Sequence, residues 1–239
     1  MSGRKKVIII AILIILLGLV AVYLDWPKAA EPVRKTTGIV ELPSPETMGT
    51  MSVEEAIEKR RSVRTYTDEP LNLEDISQLL WAAQGITDPD EGLRTAPSAG
   101  RTYPLEVYLV VGTGGVERLS EGVYHYDPSK HRLEKILEGD MRSSLRDAAH
   151  GQSWVAEAPV NIVIAAVYNR TTDKYGDLGV RFVHMEAGHV GQNLYLQAVA
   201  RGLGTVSLGS FYDDQVEKLL QLPADEKTLY IFPVGHPAS

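Results

Sequence analysis

One stretch limits the possible folds of this chain more than any other. It is a nearly continuous apolar run from Val160 to Tyr168, VNIVIAAVY. Its β-branched residues favour an extended strand, and a strand without polar alternation is typical of a position covered on both faces. We therefore place this strand in the centre of a sheet. Pro104 to Val111 (PLEVYLVV) predicts a second buried strand, which the chain enters through proline.

Helical patterns alternate with these strands. Asn72 is the predicted N-cap of a core helix, and Asp177 to Leu203 is the longest helical pattern. Gly122 to Ile136 alternates on either side of a turn signal, which predicts a β-hairpin. Weaker patterns predict short helices at 143–152 and 213–222, and strands at 204–209 and 228–234. The alternation predicts a layered α/β or α+β domain over residues 51–239.

The first 25 residues predict a membrane anchor. Val7 to Leu24 is almost entirely apolar, follows three cations, and is about long enough for a bilayer, which requires roughly 17–25 residues. A cleaved signal peptide is the alternative, although this run is longer than is usual for one and no small-residue cleavage pair follows. The positive-inside rule slightly favours a domain outside the cell, but cations also follow the span. Residues 26–50 are proline-rich and predict a stalk.

Composition excludes several kinds of chemistry. The chain has no cysteine, which excludes disulfides, zinc-thiolate sites, iron–sulfur clusters and thiol catalysis, so redox chemistry would need a bound cofactor. The net charge of −7 argues against nonspecific binding of nucleic acid. A local basic pocket remains compatible with that charge.

Such a pocket is predicted between Lys59 and Arg64, where KRRSVR places four cations beside a hydroxyl. Ser52 and Glu55 form a predicted capping box that begins a short helix, and the helix is expected to end near Arg61. Arginine binds phosphate through two parallel hydrogen bonds, so the cluster predicts a site for a phosphate monoester. A solvated basic helix end explains the same pattern equally well on composition alone.

Other motifs do not indicate a site. GTGG at 112–115 follows a strand, but Glu117 stands where a dinucleotide-binding fold has its third glycine. No phosphate-binding P-loop is present, and Ser207 in GTVSLG does not match a nucleophile elbow. His184 and His189 are five residues apart and miss the helix face that a metal pair needs. No metal site is predicted.

Four segments, in this order, resemble the FMN-dependent nitroreductase superfamily, and most closely its branch of SagB-type dehydrogenases, which oxidise azoline rings in peptide natural products. They are KRRSVRTY at 59–66, APSAGRTYPLEVYLVV at 96–111 with the hairpin GVYHYDPSKHRL, the long segment from KYGD to GSF at 174–211, and the closing FPVGHP. The resemblance covers residues 52–237. It implies an α+β fold, a mixed sheet flanked by helices, to which the chain adds its predicted transmembrane helix. It also implies a homodimer with FMN at each subunit interface.

The resemblance also implies roles for individual residues. The FMN phosphate would be bound by Arg60, Arg61, Ser62 and Arg64. The flavin would be bordered, from the other subunit, by Ser98, Ala99 and Gly100. Main-chain groups would approach the isoalloxazine ring at Gly202, Leu203, Gly204 and Thr205, where glycine leaves room for the backbone. The small residues of the longest helix would form dimer contacts, namely Ala187, Gly188 and Gly191.

Lys174 and Tyr175 match a Lys-Tyr pair linked to catalysis in the azoline dehydrogenases. A nearby ammonium lowers the pKa of a tyrosine and suits it to act as a base. An exposed pair without a catalytic role is the alternative. Leu178 departs from the branch, which often has arginine at that position, and this weakens the assignment of a substrate.

The expected function is that of a membrane-anchored FMN-dependent oxidoreductase, which transfers hydride between a reduced donor, NAD(P)H, and a small organic acceptor. Three alternatives stay open. One is a dehydrogenase that oxidises azoline-type rings with FMN and passes the electrons to oxygen or a quinone. Another is a membrane-tethered flavin-binding module without turnover. The third is a receptor for a phosphate-bearing ligand other than a flavin.

Overall fold

The computed structural model describes residues 36–238. No helix in this range is both long and apolar enough to cross a membrane. The longest, Leu178–Ala200, has a sufficient length, but it carries Arg181 and Glu186, whose charges are costly in hydrocarbon. The anchor predicted at residues 1–25 lies outside the described residues. The predicted fold class and membrane localisation are therefore corrected: the described chain is an α+β domain without a transmembrane helix.

Seven strands form the main sheet, in the spatial order β1-β6-β5-β4-β7-β9-β8, and β2 and β3 form a separate small hairpin. In chain order the strands are β1 (Gly38–Glu41), β2 (Ile86–Asp88), β3 (Leu93–Arg94), β4 (Leu105–Val111), β5 (Gly122–Asp127), β6 (Arg132–Glu138), β7 (Val160–Val167), β8 (Gly204–Thr205) and β9 (Glu226–Gly235). All neighbouring strands of the main sheet pair antiparallel. The expected mixed sheet is corrected accordingly: in the described chain, parallel pairing with this sheet is limited to an isolated bridge between Ser62 and Thr205.

The helices lie on both sides of this sheet. They are α1 (Val53–Lys59), α2 (Leu73–Gln84), α3 (Arg142–Ala148), α4 (Trp154–Glu157), α5 (Asn169–Tyr175), α6 (Leu178–Ala200) and α7 (Asp213–Leu219), with a 3₁₀ turn at Ala99–Arg101. The predicted N-cap of α2 is confirmed, because the Asn72 side chain accepts a hydrogen bond from the Asp75 N–H at 2.7 Å. The predicted hairpin is β5 and β6.

The central strands β4 and β7 are apolar because both of their faces are covered. Alternate side chains point to opposite faces of a sheet. Val107 and Ile164 belong to the core beneath α2 and α6, whereas Tyr108 and Val163 belong to the core beneath α3, α4 and α7. The inference that the run from Val160 to Tyr168 is a central strand is thereby confirmed.

The second half of the predicted stalk, from residue 36 to residue 50, is part of the folded domain. β1 pairs with β6 at the sheet edge, from Gly38 opposite Lys135 onwards. Further along the chain, the Glu46 N–H donates to the Gln78 side-chain oxygen at 2.8 Å, and the Gln78 side-chain nitrogen donates to the Glu46 carbonyl at 2.9 Å. An edge strand is held through backbone hydrogen bonds on one side only, so it needs no long apolar pattern, and sequence periodicity did not indicate it.

Candidate functional site

The predicted basic segment begins at α1. The Ser52 hydroxyl accepts a hydrogen bond from the Glu55 N–H at 3.1 Å, and the helix ends where the Arg60 N–H donates to the Ala56 carbonyl at 3.0 Å. The chain then leaves in an extended form, and the Val63 N–H donates to the Thr205 carbonyl at 3.0 Å. The predicted helix start, helix end and extended exit are confirmed, and β8 holds the exit in place.

Arg60 and Ser62 meet two side chains from distant parts of the chain. The Arg60 guanidinium lies 5.2 Å from the centre of the Tyr195 ring. The Tyr195 hydroxyl lies 3.3 Å from the Ser62 hydroxyl, and it accepts the Ser207 N–H at 2.8 Å and donates to the Ser207 hydroxyl at 3.3 Å. We call Arg60, Ser62, Tyr195 and Ser207 the hydroxyl cluster.

The hydroxyl cluster favours negative charge. Burial acts to raise the pKa of Tyr195, but the hydrogen bonds from Ser207 and Ser62 and the charge of Arg60 outweigh it, so the pKa lies below its usual value. Groups that stabilise a phenolate in this way also suit an external anion.

Arg61 and Arg64 have other partners. One guanidinium nitrogen of Arg61 donates to the carbonyls of Glu58 and Arg60, at 2.8 and 2.7 Å. The Arg64 guanidinium lies over the Trp154 ring, 5.7 Å from its centre. Of the four side chains expected to hold a phosphate, the structure thus brings only Arg60 and Ser62 together in one group.

Residues Gly202 to Thr205 join α6 to the basic segment. Gly202 has φ +70°, and the Leu203 N–H donates to the Ala198 carbonyl at 2.8 Å, so these two residues close the end of α6. Gly204 lies against Val63: a Cβ added at Gly204 would come within 2.7 Å of that side chain. Thr205 is buried, and its hydroxyl donates to the Pro233 carbonyl at 2.8 Å. In this chain they hold the basic segment against the sheet.

Lys174 and Tyr175, in the last turn of α5, both reach the loop at Gly100. The Lys174 ammonium donates to the Gly100 carbonyl at 3.2 Å. A Cβ added at Gly100 would lie 2.5 Å from the Lys174 Nζ and 2.4 Å from the Tyr175 hydroxyl, so both polar atoms lie within 2.5 Å of one point. We call these three residues the Gly100 cluster. The side chains of Lys174 and Tyr175, although adjacent in sequence, therefore point to the same place.

Ser98 and Ala99 hold the shape of this loop. The Ser98 hydroxyl accepts the Tyr103 N–H at 2.9 Å, and the Ala99 carbonyl accepts the Thr102 hydroxyl at 3.0 Å. Gly100 has φ +59°, a left-handed conformation that glycine adopts at little cost. The three loop residues expected to border a flavin therefore lie beside the predicted catalytic pair of the same chain.

Both clusters contact α6, but at different positions along its axis. Phe182 packs edge-to-face on the Tyr175 ring, 5.2 Å between centres, whereas Tyr195 belongs to the hydroxyl cluster. With a rise of 1.5 Å per residue, these positions are about 20 Å apart along the helix. The two halves of the expected site are thus separate within one chain.

Sequence reasoning missed Tyr195 and Ser207. Tyr195 follows Leu194 of the apolar stripe and adds no periodic signal of its own. Ser207 was considered only as a nucleophile. The available signal was that two hydroxyl residues flank the predicted contact segment 202–205 in the sequence, 7 residues before and 2 after it.

Known proteins share this arrangement of sequence. The chain is 46% identical over 196 residues to a protein of Methanocaldococcus jannaschii named as a nitroreductase, covering 82% of this chain and 95% of that one. It is 31% identical over 162 residues to the microcin B17-processing protein McbC of Escherichia coli, covering 66% and 59%. It is 29% identical over 197 residues to an FMN reductase [NAD(P)H] of Bacillus subtilis, covering 74% and 63%. The model of the nitroreductase family matches residues 57–236, which include both clusters, and the chain therefore belongs to the nitroreductase family.

Proposed function

We propose that this chain is an FMN-dependent oxidoreductase that transfers hydride equivalents between NAD(P)H and a small organic acceptor. Family membership supports an oxidoreductase, and the Bacillus subtilis relative is named for FMN and NAD(P)H. The observation that carries the proposal is the pair of clusters along α6. One is suited to bind a phosphate, and the other is suited to hold or move a proton.

The hydroxyl cluster fits the phosphate of FMN. Arg60 supplies a guanidinium, which binds a phosphate with charge-assisted hydrogen bonds, and Ser62 and Ser207 supply hydroxyl donors. Ser62 is exposed, so a ligand can approach it from solvent. Because Gly204 has no side chain, its backbone packs directly against Val63. This contact holds the basic segment where Arg60 and Ser62 can donate to a ligand.

A second copy of the chain would complete the site. The clusters lie about 20 Å apart along α6, and an antiparallel copy would bring the Gly100 cluster of one chain toward the hydroxyl cluster of the other. α6 has a free surface for this contact: Met185 is 54% exposed, and a Cβ at Gly188 would meet open space. We propose a homodimer on these grounds.

When bound, FMN accepts and releases hydride at N5. The protein would bind and orient it, and the Gly100 cluster would manage protons beside it. The Lys174 ammonium is held at the Gly100 carbonyl and shares its space with the Tyr175 hydroxyl. The Tyr175 hydroxyl is thus held beside a cation, in a place where it can exchange a proton with a bound substrate.

That proton transfer favours a second candidate function, a dehydrogenase that oxidises azoline-type rings. Removal of a carbon-bound proton is needed for such an oxidation, whereas reduction of FMN by NAD(P)H needs no carbon base. The relative McbC is named for processing microcin B17. The specific observation is the convergence of Lys174 and Tyr175 on Gly100.

Visible absorption of the full-length protein, reconstituted with FMN, tests the proposal. We expect a protein-bound flavin spectrum that bleaches when NADH or NADPH is added without oxygen. Arg60→Met should weaken FMN binding by roughly 10- to 100-fold, the effect of losing a charge-assisted hydrogen bond, and adding Ser62→Ala should weaken it further. Arg146→Met is the matched control, because Arg146 pairs with Asp147 on the surface of α3.

Tyr175→Phe separates the two functions. If NAD(P)H is the donor, the variant should still bleach, whereas an azoline dehydrogenase should lose most of its kcat. A flavin that neither donor reduces and that no azoline-containing peptide reduces would indicate a binding module without turnover. Failure to bind FMN at all would overturn the proposal.

A further inference from the structure

The loop from Ser98 to Tyr103 is strained. Arg101 and Tyr103 have φ of +57° and +44°, and Gly100 lies between Ser98 and these residues with φ +59°. Residues other than glycine seldom adopt this left-handed region, because the Cβ crowds the following carbonyl. Such strain persists only where the surroundings impose it, and it is often found at functional sites. The loop therefore needs an identifiable restraint.

Helix α5 supplies that restraint through three side chains. The Arg170 guanidinium donates to the Tyr103 carbonyl at 3.1 Å, the Thr171 and Thr102 hydroxyls lie 2.8 Å apart, and Lys174 donates to the Gly100 carbonyl at 3.2 Å. One face of α5 thus contacts the loop at Gly100, Thr102 and Tyr103. The helix that carries Tyr175 and the loop that carries Gly100 are joined as one unit.

Arg170 is in turn fixed to the sheet. Its guanidinium lies 2.7 Å from the Glu106 carboxylate on β4, and the other Glu106 oxygen lies 2.6 Å from the His125 Nε2 on β5. Glu106 and His125 are 8% and 6% exposed, so these contacts are largely shielded from water. The Arg170 guanidinium is thus paired with a buried carboxylate, which gives the ion pair a defined geometry. Arg94 also contacts the loop, because its guanidinium lies over the Tyr103 ring, 4.6 Å from the ring centre.

We propose that Arg170, held by Glu106, is a positioning residue that keeps the strained loop against α5 and so sets the distance between Gly100 and the Lys174–Tyr175 pair. The functional consequence rests on the function proposed above. The restraint itself does not, because it is a property of the chain without any ligand.

Hydrogen exchange of the full-length protein tests the restraint. The readout is the amides of Arg101, Thr102 and Tyr103, which donate to Ser98 and Ala99 within the loop. Arg170→Met should speed their exchange roughly tenfold or more, because a charge-assisted hydrogen bond is lost, while Arg170→Lys should restore part of the protection. Arg146→Met should leave these amides unchanged. Equal exchange in Arg170→Met and Arg146→Met would overturn the proposal.

A second variant guards against misfolding of Arg170→Met. Thr171→Val keeps the shape of the side chain and removes only the hydrogen bond to Thr102. It should speed exchange of the same three amides by a smaller factor, with the rest of the chain unchanged. Protection equal to that of the wild type would count against the restraint by α5.

Catalysis provides the functional readout. For FMN-loaded protein, Arg170→Met should lower kcat for the step that uses Tyr175 by roughly tenfold, with little change in KM, and Arg170→Lys should recover most of it. If the wild type binds no FMN, the proposed function fails, and the exchange experiment still decides the restraint. If kcat is unchanged although the loop exchanges faster, the positioning role is wrong.

Discussion

At the scale of single residues, Glu186 is a group whose ionisation the fold changes clearly. It lies in the middle of α6, is 2% exposed, and its Oε1 has no hydrogen-bond partner in the described part of the chain. Burial raises the pKa of this carboxyl to about 7. Hydrogen bonds from Ser98 and Gln84 and the charge of Arg94 act to lower the pKa, but burial outweighs them. The structure thus holds a carboxyl that titrates near neutral pH beside the loop at Ser98.

This pKa predicts a pH-dependent stability. The unfolded carboxyl ionises near 4.5, whereas the folded one stays protonated to about 7, so the folded state binds more protons between these values. Stability relative to Glu186→Gln should therefore fall as the pH rises from about 4.5 to 7 and stay constant above that. At pH 8 the unfolding free energy of the wild type should be lower than that of the variant by up to about 3 kcal/mol. Below pH 4 the unfolding free energies of the two proteins should change with pH in the same way.

Urea unfolding at several pH values measures this difference. Glu117→Gln is the matched control, since Glu117 is exposed on the surface. Its unfolding free energy should follow that of the wild type across the range. Parallel pH profiles for the wild type and Glu186→Gln would show that folding does not change the pKa of this carboxyl, and the interpretation would then be wrong.

At the scale of elements, the caps of α1 and α2 differ in what they support. Ser52 caps α1, a mostly exposed helix in which Ala56 is the buried residue. Asn72 caps α2 in a capping box, and most of that helix is buried. The same kind of hydrogen bond therefore holds a surface segment in one case and a part of the core in the other.

We expect the two cap deletions to separate ligand binding from global stability. Asn72→Ala should lower the unfolding free energy by about 1 kcal/mol, because α2 unfolds only with the core. Ser52→Ala should lower it less, yet weaken FMN binding severalfold, because fraying of α1 releases Arg60. Denaturant unfolding and fluorescence titration with FMN measure both. Unchanged FMN affinity in Ser52→Ala would show that α1 does not position Arg60.

The small residues of α6 show what an element's pattern leaves undecided. Ala187 is buried, and a Cβ at Gly191 would come within 3.0 Å of the Phe232 ring, so both face the sheet. Gly188 faces open space. The expectation that all three form dimer contacts can therefore hold only for Gly188 and the exposed residues around it. This helix has small residues on its buried side and on its exposed side. The sequence pattern alone does not show which of them face the core and which face solvent.

At the scale of the whole molecule, the separation of the two clusters predicts that FMN binding depends on self-association. Met185→Glu would place a charge on the exposed face of α6, twice in a symmetric dimer, and should weaken association by roughly 2 kcal/mol or more. FMN affinity should fall in parallel. Ile39→Glu is the control, since Ile39 is 52% exposed on β1 and distant in the sheet order from β8. Light scattering and FMN titration check both, and a monomer that binds FMN with wild-type affinity would contradict the two-chain site.

The sequence by itself determined the local features of this protein. Helix caps at Ser52 and Asn72, the hairpin of β5 and β6, and the buried strands β4 and β7 follow from interactions between near neighbours or from burial patterns within one segment. Family membership also followed, since it depends on the order of such segments. The edge strand β1 did not, because an element held only by its neighbour has no pattern of its own.

Only the tertiary structure decided which polar groups share a point in space. Arg60, Arg61 and Arg64 are alike in sequence, but only Arg60 meets Tyr195, 135 positions later in the chain. Lys174 and Tyr175 converge on Gly100 because Arg170 and Thr171 hold α5 against a strained loop. Contacts of this kind depend on how the helices pack on the sheet, which is set by the whole core at once.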